Sequence, residues 1–419
     1  MKDLLQIDGA RLWRSLMDMA RIGATPRGGV RRLALTEEDR RGRDLFAQWC
    51  REAKLTVSVD EAGNLFARRD GTDPRAAPVL IGSHLDTQPE GGRFDGAYGV
   101  LAALELARTL NDADIATQKP IEIVSWTNEE GARFTPAMLG SAVFTGTMPL
   151  ADALAKHDAQ HVSLADALAT TGYRGTRPVG TPVDAYFEAH IEQGPVLEAN
   201  GTTIGVVTGG QAIGWLDVTV MGMAAHAGTT PMRYRKDALF AAAEMALELE
   251  HIVAGYAPPG VGTIGQLGIA NASRNTIAAQ VSFTVDLRHP EDAEVDAMIQ
   301  ELRDACARIA ARRGVEAGVD VYWRSPATPF DPRCVALVQD AANAFGYTNE
   351  RIVSGAGHDA ILLASHCPTA MVFIPCVGGL SHNEAEDALP DDVTRGANVL
   401  LHAALARAGV AATASEEPR

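Results

Sequence analysis

Four short apolar runs constrain this chain most: "APVLIGSH" (77–84), "PIEIVSWTNEE" (120–130), "AYFEAHIEQG" (185–194) and "PTAMVFIPCVGGLSH" (368–382). Short, nearly continuous apolar runs of this kind read as strands covered on both faces. Helical patterns such as "AYGVLAALELARTLND" (97–112) lie between them. Strands alternating with helices predict an α/β sheet.

Each run ends in a polar segment carrying histidine or acid, and open α/β sheets place their sites at the carboxyl ends of strands. The first delivers His84 and Asp86, then Asp95 on the glycine-rich loop "GGRFDG". The second delivers Glu129 and Glu130, the third His190 between Glu188 and Glu192, the fourth His382. Singly these are weak signals, since a glycine-rich loop can cradle phosphate and a Glu pair can be a solvated turn. A phosphate loop, however, would want Lys or Ser/Thr after its glycines, and this one presents acids.

Three histidines and two carboxylates, without thiolate, suit Zn²⁺ or a related ion such as Mn²⁺, Co²⁺ or Ni²⁺. Five ligands exceed one open tetrahedral site. They serve two divalent metal ions if one carboxylate bridges, and Asp95 on its flexible loop is the natural bridge. Neighbours in an extended chain point oppositely, so Glu129 and Glu130 must differ in duty, with Glu129 expected as general base. Asp86, two residues past His84, is expected to accept the imidazole N–H and orient the ring.

At 419 residues the chain should form two domains. A net charge of −16 without a Lys/Arg cluster argues against nucleic-acid or anionic-membrane partners. No apolar run approaches a membrane span. Five scattered cysteines without a CxxC read as free thiols in a reducing cytoplasm. The first residues read as an amphipathic helix rather than a signal peptide, and the final "AATASEEPR" as a frayed tail.

Between 210 and 328 the pattern changes to "WLDVTVMG", a helix, "GVGTIGQLGIA", "QVSFTVDLRH", a helix and "GVDVYWRS". This βαββαβ order is that of a ferredoxin-like module. The expected organisation is an α/β domain in two parts, 1–209 and 329–419, with 210–328 inserted.

Taken together, "GSHLDTQPEGGRFDGAYGV", "WTNEEGARF", "FEAHIEQGPVLE", "AAHAGTTPM", "SGAGHDA" and "GGLSHNEAE" resemble the amidase/hydantoinase/carbamoylase group of the aminoacylase–carboxypeptidase superfamily. The resemblance implies a mixed-sheet, metallopeptidase-like catalytic domain with a ferredoxin-like lid through which two chains form a homodimer. It implies that His84, Asp95 and His190 hold one metal ion and Asp95, Glu130 and His382 the other. Glu129 would be the base and Asp86 the support of His84. His226 would reach the partner subunit's site. Gln193, Asn275 and Arg288, with Gly357 and His358 nearby, would bind a small carboxylate-bearing ureido substrate. The implied reaction converts an N-carbamoyl-L-amino acid to the amino acid, CO₂ and ammonia, with allantoate or N-carbamoyl-β-alanine as alternative substrates. A dipeptidase or aminoacylase and a non-catalytic binding protein are the rival classes.

One departure is visible, since "NTIA" places Ala278 where the group usually has proline beside Asn275. At three positions a local role competes. Arg288 could pair with Asp286 or Glu291, His226 could cap its own turn, and His358 could steady a loop through Asp359.

Overall fold

Helix caps written into the sequence start the chain's first elements. The structure, a computed structural model, describes residues 4–411, so the expected C-terminal tail lies outside it from residue 412 on. Asp8 caps α1 (Gly9–Ala20) by accepting from the Arg11 amide, and Thr36 caps α2 (Glu37–Glu52) by accepting from the Asp39 amide. The Asp39 carboxylate reaches back to the Leu35 amide at 2.7 Å and also pairs with Arg43 at 2.8 Å. A hairpin of β1 (Thr56–Val59) and β2 (Leu65–Arg69) follows, then β3 (Val79–His84), α3 (Ala97–Asp112) and β4 (Ile121–Trp126). Short helices α4 (Leu139–Phe144), α5 (Leu150–Leu154) and α6 (Leu164–Thr171) lead to β5 (Ala185–Ile191), α7 (Val196–Asn200) and β6 (Ile204–Gly210). As unbroken apolar runs predict, β3, β4 and β5 are buried along their whole length.

The next stretch comprises β7 (Ala212–Met221), α8 (Ala238–Ala254), β8 (Val261–Thr263), β9 (Leu267–Ile269), β10 (Gln280–His289), α9 (Asp292–Arg313) and β11 (Glu316–Ser325). Its antiparallel sheet has the order β11-β7-β10-β8, with β9 also on β10. Period-two alternation sets the faces: Val281, Phe283, Val285 and Leu287 of β10 point into a core shared with α8 and α9. The single strand expected at "GVGTIGQLGIA" is two. Asp286 faces Thr263 while Phe283 faces Leu267, a register offset of one residue, so an extra residue bulges between them. Gln266 is held there, its amide donating to Thr284 Oγ1 at 3.1 Å.

The chain then returns through β12 (Thr328–Pro329), α10 (Pro332–Ala344), β13 (Asn349–Ser354), α11 (Asp359–Leu363), β14 (Thr369–Ile374) and α12 (Pro390–Ala408). The larger sheet runs β1-β2-β4-β3-β5-β14-β6-β12, with β13 on β6. It is mixed: β4, β3, β5 and β14 are mutually parallel, while β2 and β6 border them antiparallel. Two compact units result, one formed by the segments up to Gly209 and from Pro329, the other by Gly210–Thr328.

Candidate metal centre

Because β3, β4, β5 and β14 are parallel, their carboxyl ends lie along one edge, and the polar segments that follow them meet there. His84 is the last residue of β3 and His190 the penultimate residue of β5. Asp95 comes from the loop between β3 and α3. Its Oδ1 lies 3.4 Å from His84 Nε2 and 3.2 Å from His190 Nε2. Its Oδ2 faces the other way, 3.5 Å from His382 Nε2, and that nitrogen is 3.4 Å from Glu130 Oε2. The two carboxylate oxygens thus serve two separate groups, His84–Asp95–His190 and Asp95–Glu130–His382.

These donors fit divalent metal ions. Ligand atoms about 2.1 Å from a tetrahedral ion sit roughly 3.4 Å apart, the spacing seen in both groups. His84 and His190 each direct Nδ1 at a main-chain carbonyl, of Asp86 and Ile191 respectively, both at 2.9 Å. With Nδ1 so engaged, Nε2 is the ring atom that faces Asp95 and would meet a metal ion. A third group, Glu188, His190 and His358, is close enough but already committed. Glu188 accepts from Ser83 Oγ at 2.6 Å, Tyr186 OH at 3.0 Å and the Ala360 amide at 3.2 Å.

Strained backbone also occurs at this edge. Asn128, Gln193 and His382 have φ of 56°, 59° and 53°, the left-handed region that disfavours a side chain by about 1 kcal/mol. Gly96, at φ 63°, lies so close to His84 that a Cβ there would overlap the imidazole.

Crowded acids dominate the electrostatics. Burial opposes ionisation of Asp95, but hydrogen bonding to His190 and His84 holds its carboxyl well below the usual range. Burial, reinforced by Asp95, pushes Glu130 up to about 8. Burial also pushes Glu129 well above its usual value, with Asp359 and Glu130 adding to it. Glu129 Oε2 lies 3.5 Å from His84 Nε2, beside the first group.

Asp86 requires a correction. It is the Asp86 carbonyl, not its carboxylate, that accepts from His84. The carboxylate accepts from the Glu129 and Glu130 amides, each at 3.3 Å. The reason is that β3 ends at His84, so Asp86 is already in the turn rather than on the same strand face.

Gln193 donates to Asp95 Oδ2 at 3.0 Å, and its buried Oε1 has no hydrogen-bond partner among the described residues. His358 is 2% exposed, its ring edge-on to His190 at 4.6 Å, with Nε2 unpartnered among the described residues. The neighbouring Asp359 accepts from the Ser141 hydroxyl. Gly357 lies against Met138. His226, Asn275 and Arg288 belong to the other unit. His226 Nδ1 caps its turn by accepting from the Gly228 and Thr229 amides at 3.0 and 3.2 Å. A bridge between His226 and Thr276 brings Asn275 beside it. Arg288 pairs with Asp286 at 2.8 Å.

Sequence reading passed over Glu386, which accepts from the Phe94 and Asp95 amides at 3.0 and 3.1 Å. Burial, then Asp95, pushes it up to about 7. Its only signal was its place four residues beyond His382.

The profile of the peptidase family M20/M25/M40 matches residues 80–406. An N-carbamoyl-L-amino-acid amidohydrolase of Rhizobium meliloti is 48% identical over 97% of this chain and 98% of the relative. An allantoate amidohydrolase of Bacillus subtilis is 35% identical over 88% and 90%. The crystal structure of a hydantoinase/carbamoylase family amidase from Burkholderia ambifaria is 77% identical, covers 98% of this chain and 100% of that one, and superposes with a TM-score of 0.94. The chain therefore belongs to the peptidase family M20/M25/M40 and, within it, to the hydantoinase/carbamoylase amidases.

Proposed function

We propose that the protein hydrolyses the ureido C–N bond of an N-carbamoyl-L-amino acid. The observation that carries this reading is Asp95, one carboxylate divided between two donor groups; the relatives' activities point to the same chemistry. His84, Asp95 and His190 would hold one divalent ion, and Asp95, Glu130 and His382 the other, as Zn²⁺, Mn²⁺, Co²⁺ or Ni²⁺. Bound there, the ions would polarise the carbamoyl carbonyl and make water acidic.

The residues do the rest. Glu129 Oε2 takes a proton from the attacking water and returns it to the departing nitrogen. Asp86, by gripping the Glu129 and Glu130 amides, keeps base and ligand in register. One water added across the terminal C–N bond releases ammonia and leaves an N-carboxylated amine, which loses CO₂ to give the amino acid.

The orphan Gln193 Oε1 suits a substrate N–H, and His358 Nε2 a further polar contact beside Gly357. We read 1–209 with 329–419 as the catalytic domain. In 210–328, the order β11-β7-β10-β8 supports a ferredoxin-like lid. Arg288 and Asn275 from that lid would bind the substrate carboxylate, and His226 would serve the partner subunit's site. Phe240 and Leu247 on α8 and Val261, Leu267 and Ile269 on the adjacent strands are exposed, which supports a homodimer through this unit. Among the described residues no helix is long and apolar enough to cross a membrane. Five unpaired cysteines support a cytoplasmic location.

The test is ammonia release after chelation and metal reloading, from an N-carbamoyl-L-amino acid, allantoate and N-carbamoyl-β-alanine, with dipeptide cleavage alongside. The highest kcat/KM is expected for the first. A preference for allantoate would move the assignment within the group, and faster dipeptide cleavage would overturn it.

A further inference from the structure

Asp95 and His382 come to the site from segments far apart in the chain, yet a two-ion centre needs them in fixed relation. Two side chains connect their loops: Gln193, whose Nε2 donates to Asp95 Oδ2 at 3.0 Å and to Ser381 Oγ at 3.1 Å, and the more deeply buried Glu386. Glu386, 1% exposed, accepts from the Phe94 amide at 3.0 Å and the Asp95 amide at 3.1 Å through Oε1. Its Oε2 lies 3.1 Å from Ser381 Oγ, next to His382, and the same hydroxyl lies 3.3 Å from Asp95 Oδ2. No basic side chain among the described residues pairs with Glu386; the nearby Arg93 pairs with Asp387 at 2.9 Å. Gly92 accounts for its own lack of a side chain in the same way, because a Cβ there would run into the Glu386 carboxylate.

We propose that Glu386 is a positioning residue that locks the shared ligand Asp95 against the His382 loop, so that uptake of one metal ion is coupled to uptake of the other. Two main-chain amides and one hydroxyl on a single carboxylate fix the Asp95 backbone from one side and the His382 turn from the other. Removing that acceptor strands two buried amides and frees the loop, and a loosened Asp95 weakens both donor groups at once. The function of Glu386 is geometric. Glutamine in its place keeps an acceptor for both amides and a polar contact to Ser381. This inference rests on the two-ion reading of the centre.

The experiment is titration of the metal-free, full-length protein with Co²⁺, followed by visible absorption and calorimetry, at a temperature where circular dichroism shows each variant folded. Wild type is expected to take up two ions. Glu386→Ala should raise the dissociation constants of both ions at least tenfold, whereas Glu386→Gln should stay within about threefold of wild type. Asp387→Asn, which removes the neighbouring acid, should be unchanged. Should Glu386→Ala fail to fold, Gly92→Ala supplies the test, since its methyl displaces the same carboxylate and should weaken both ions likewise. Wild-type affinities in a folded Glu386→Ala or Gly92→Ala protein would overturn the proposal, as would a Glu386→Gln protein as defective as the alanine variant. Absence of uptake by wild type would instead remove the two-ion reading, and this proposal with it.

Discussion

Glu129 and Glu130 are adjacent in sequence, and Asp86 holds both of their amides with one carboxylate. Their side chains nevertheless diverge, Glu129 toward His84 and Glu130 toward His382. This division makes Glu129→Gln the informative substitution, because it alters the base and leaves all five proposed ligands in place. We expect metal content by elemental analysis to stay at the wild-type value while kcat for ammonia release falls by about 10²–10⁴-fold. A variant with near-normal turnover would mean that another group moves the proton. That the two glutamates would differ in duty was legible, but which of them takes which duty came from the family resemblance. The pair lies beyond the end of β4 at Trp126 rather than in extended chain. The grip of Asp86 on both amides was not legible, because it depends on where β3 stops.

Strand ends were the legible elements. Unbroken apolar runs leave few alternatives to buried parallel strands, and each run handed its last polar residues to the same edge. Two features escaped for physical reasons. The split of one expected strand into β8 and β9 is a one-residue bulge, invisible to alternation in so glycine-rich a segment. The contact of Glu386 with the Asp95 loop joins residues 291 apart, and no local spacing encodes it. Gly96, at the start of α3, is the element-scale weak point. Alanine there meets both a left-handed backbone, at about 1 kcal/mol, and the His84 ring. Gly96→Ala is expected to lose affinity chiefly at the His84–Asp95–His190 group, read as at least tenfold more metal needed for half-maximal activity. An unchanged requirement would show that the ring has room to shift.

Across the whole molecule, all five cysteines are buried and unpaired. Burial pushes the thiols of Cys306 and Cys334 up to about 11 and those of Cys367 and Cys376 up to about 12. The thiolate is the reactive form, so a raised value means less of it at any given pH. Native protein at pH 8 should therefore react slowly with a thiol-exchange reagent, faster by up to tenfold per pH unit, and release five equivalents at once on unfolding. Rapid labelling of the native fold at pH 8 would contradict that burial. The subunit arrangement has its own test in complementation. His226→Ala and His84→Ala proteins, each inactive, should regain about a quarter of wild-type activity when subunits exchange at random. No recovery would separate His226 from the partner subunit's chemistry.

The sharing of Asp95 is decided most directly by counting ions in folded protein, by elemental analysis after chelation and reloading. Wild type should hold two per chain, His84→Ala and His382→Ala one each, and Asp95→Asn none. Two ions retained by Asp95→Asn, or no stoichiometric ion in wild type, would contradict it.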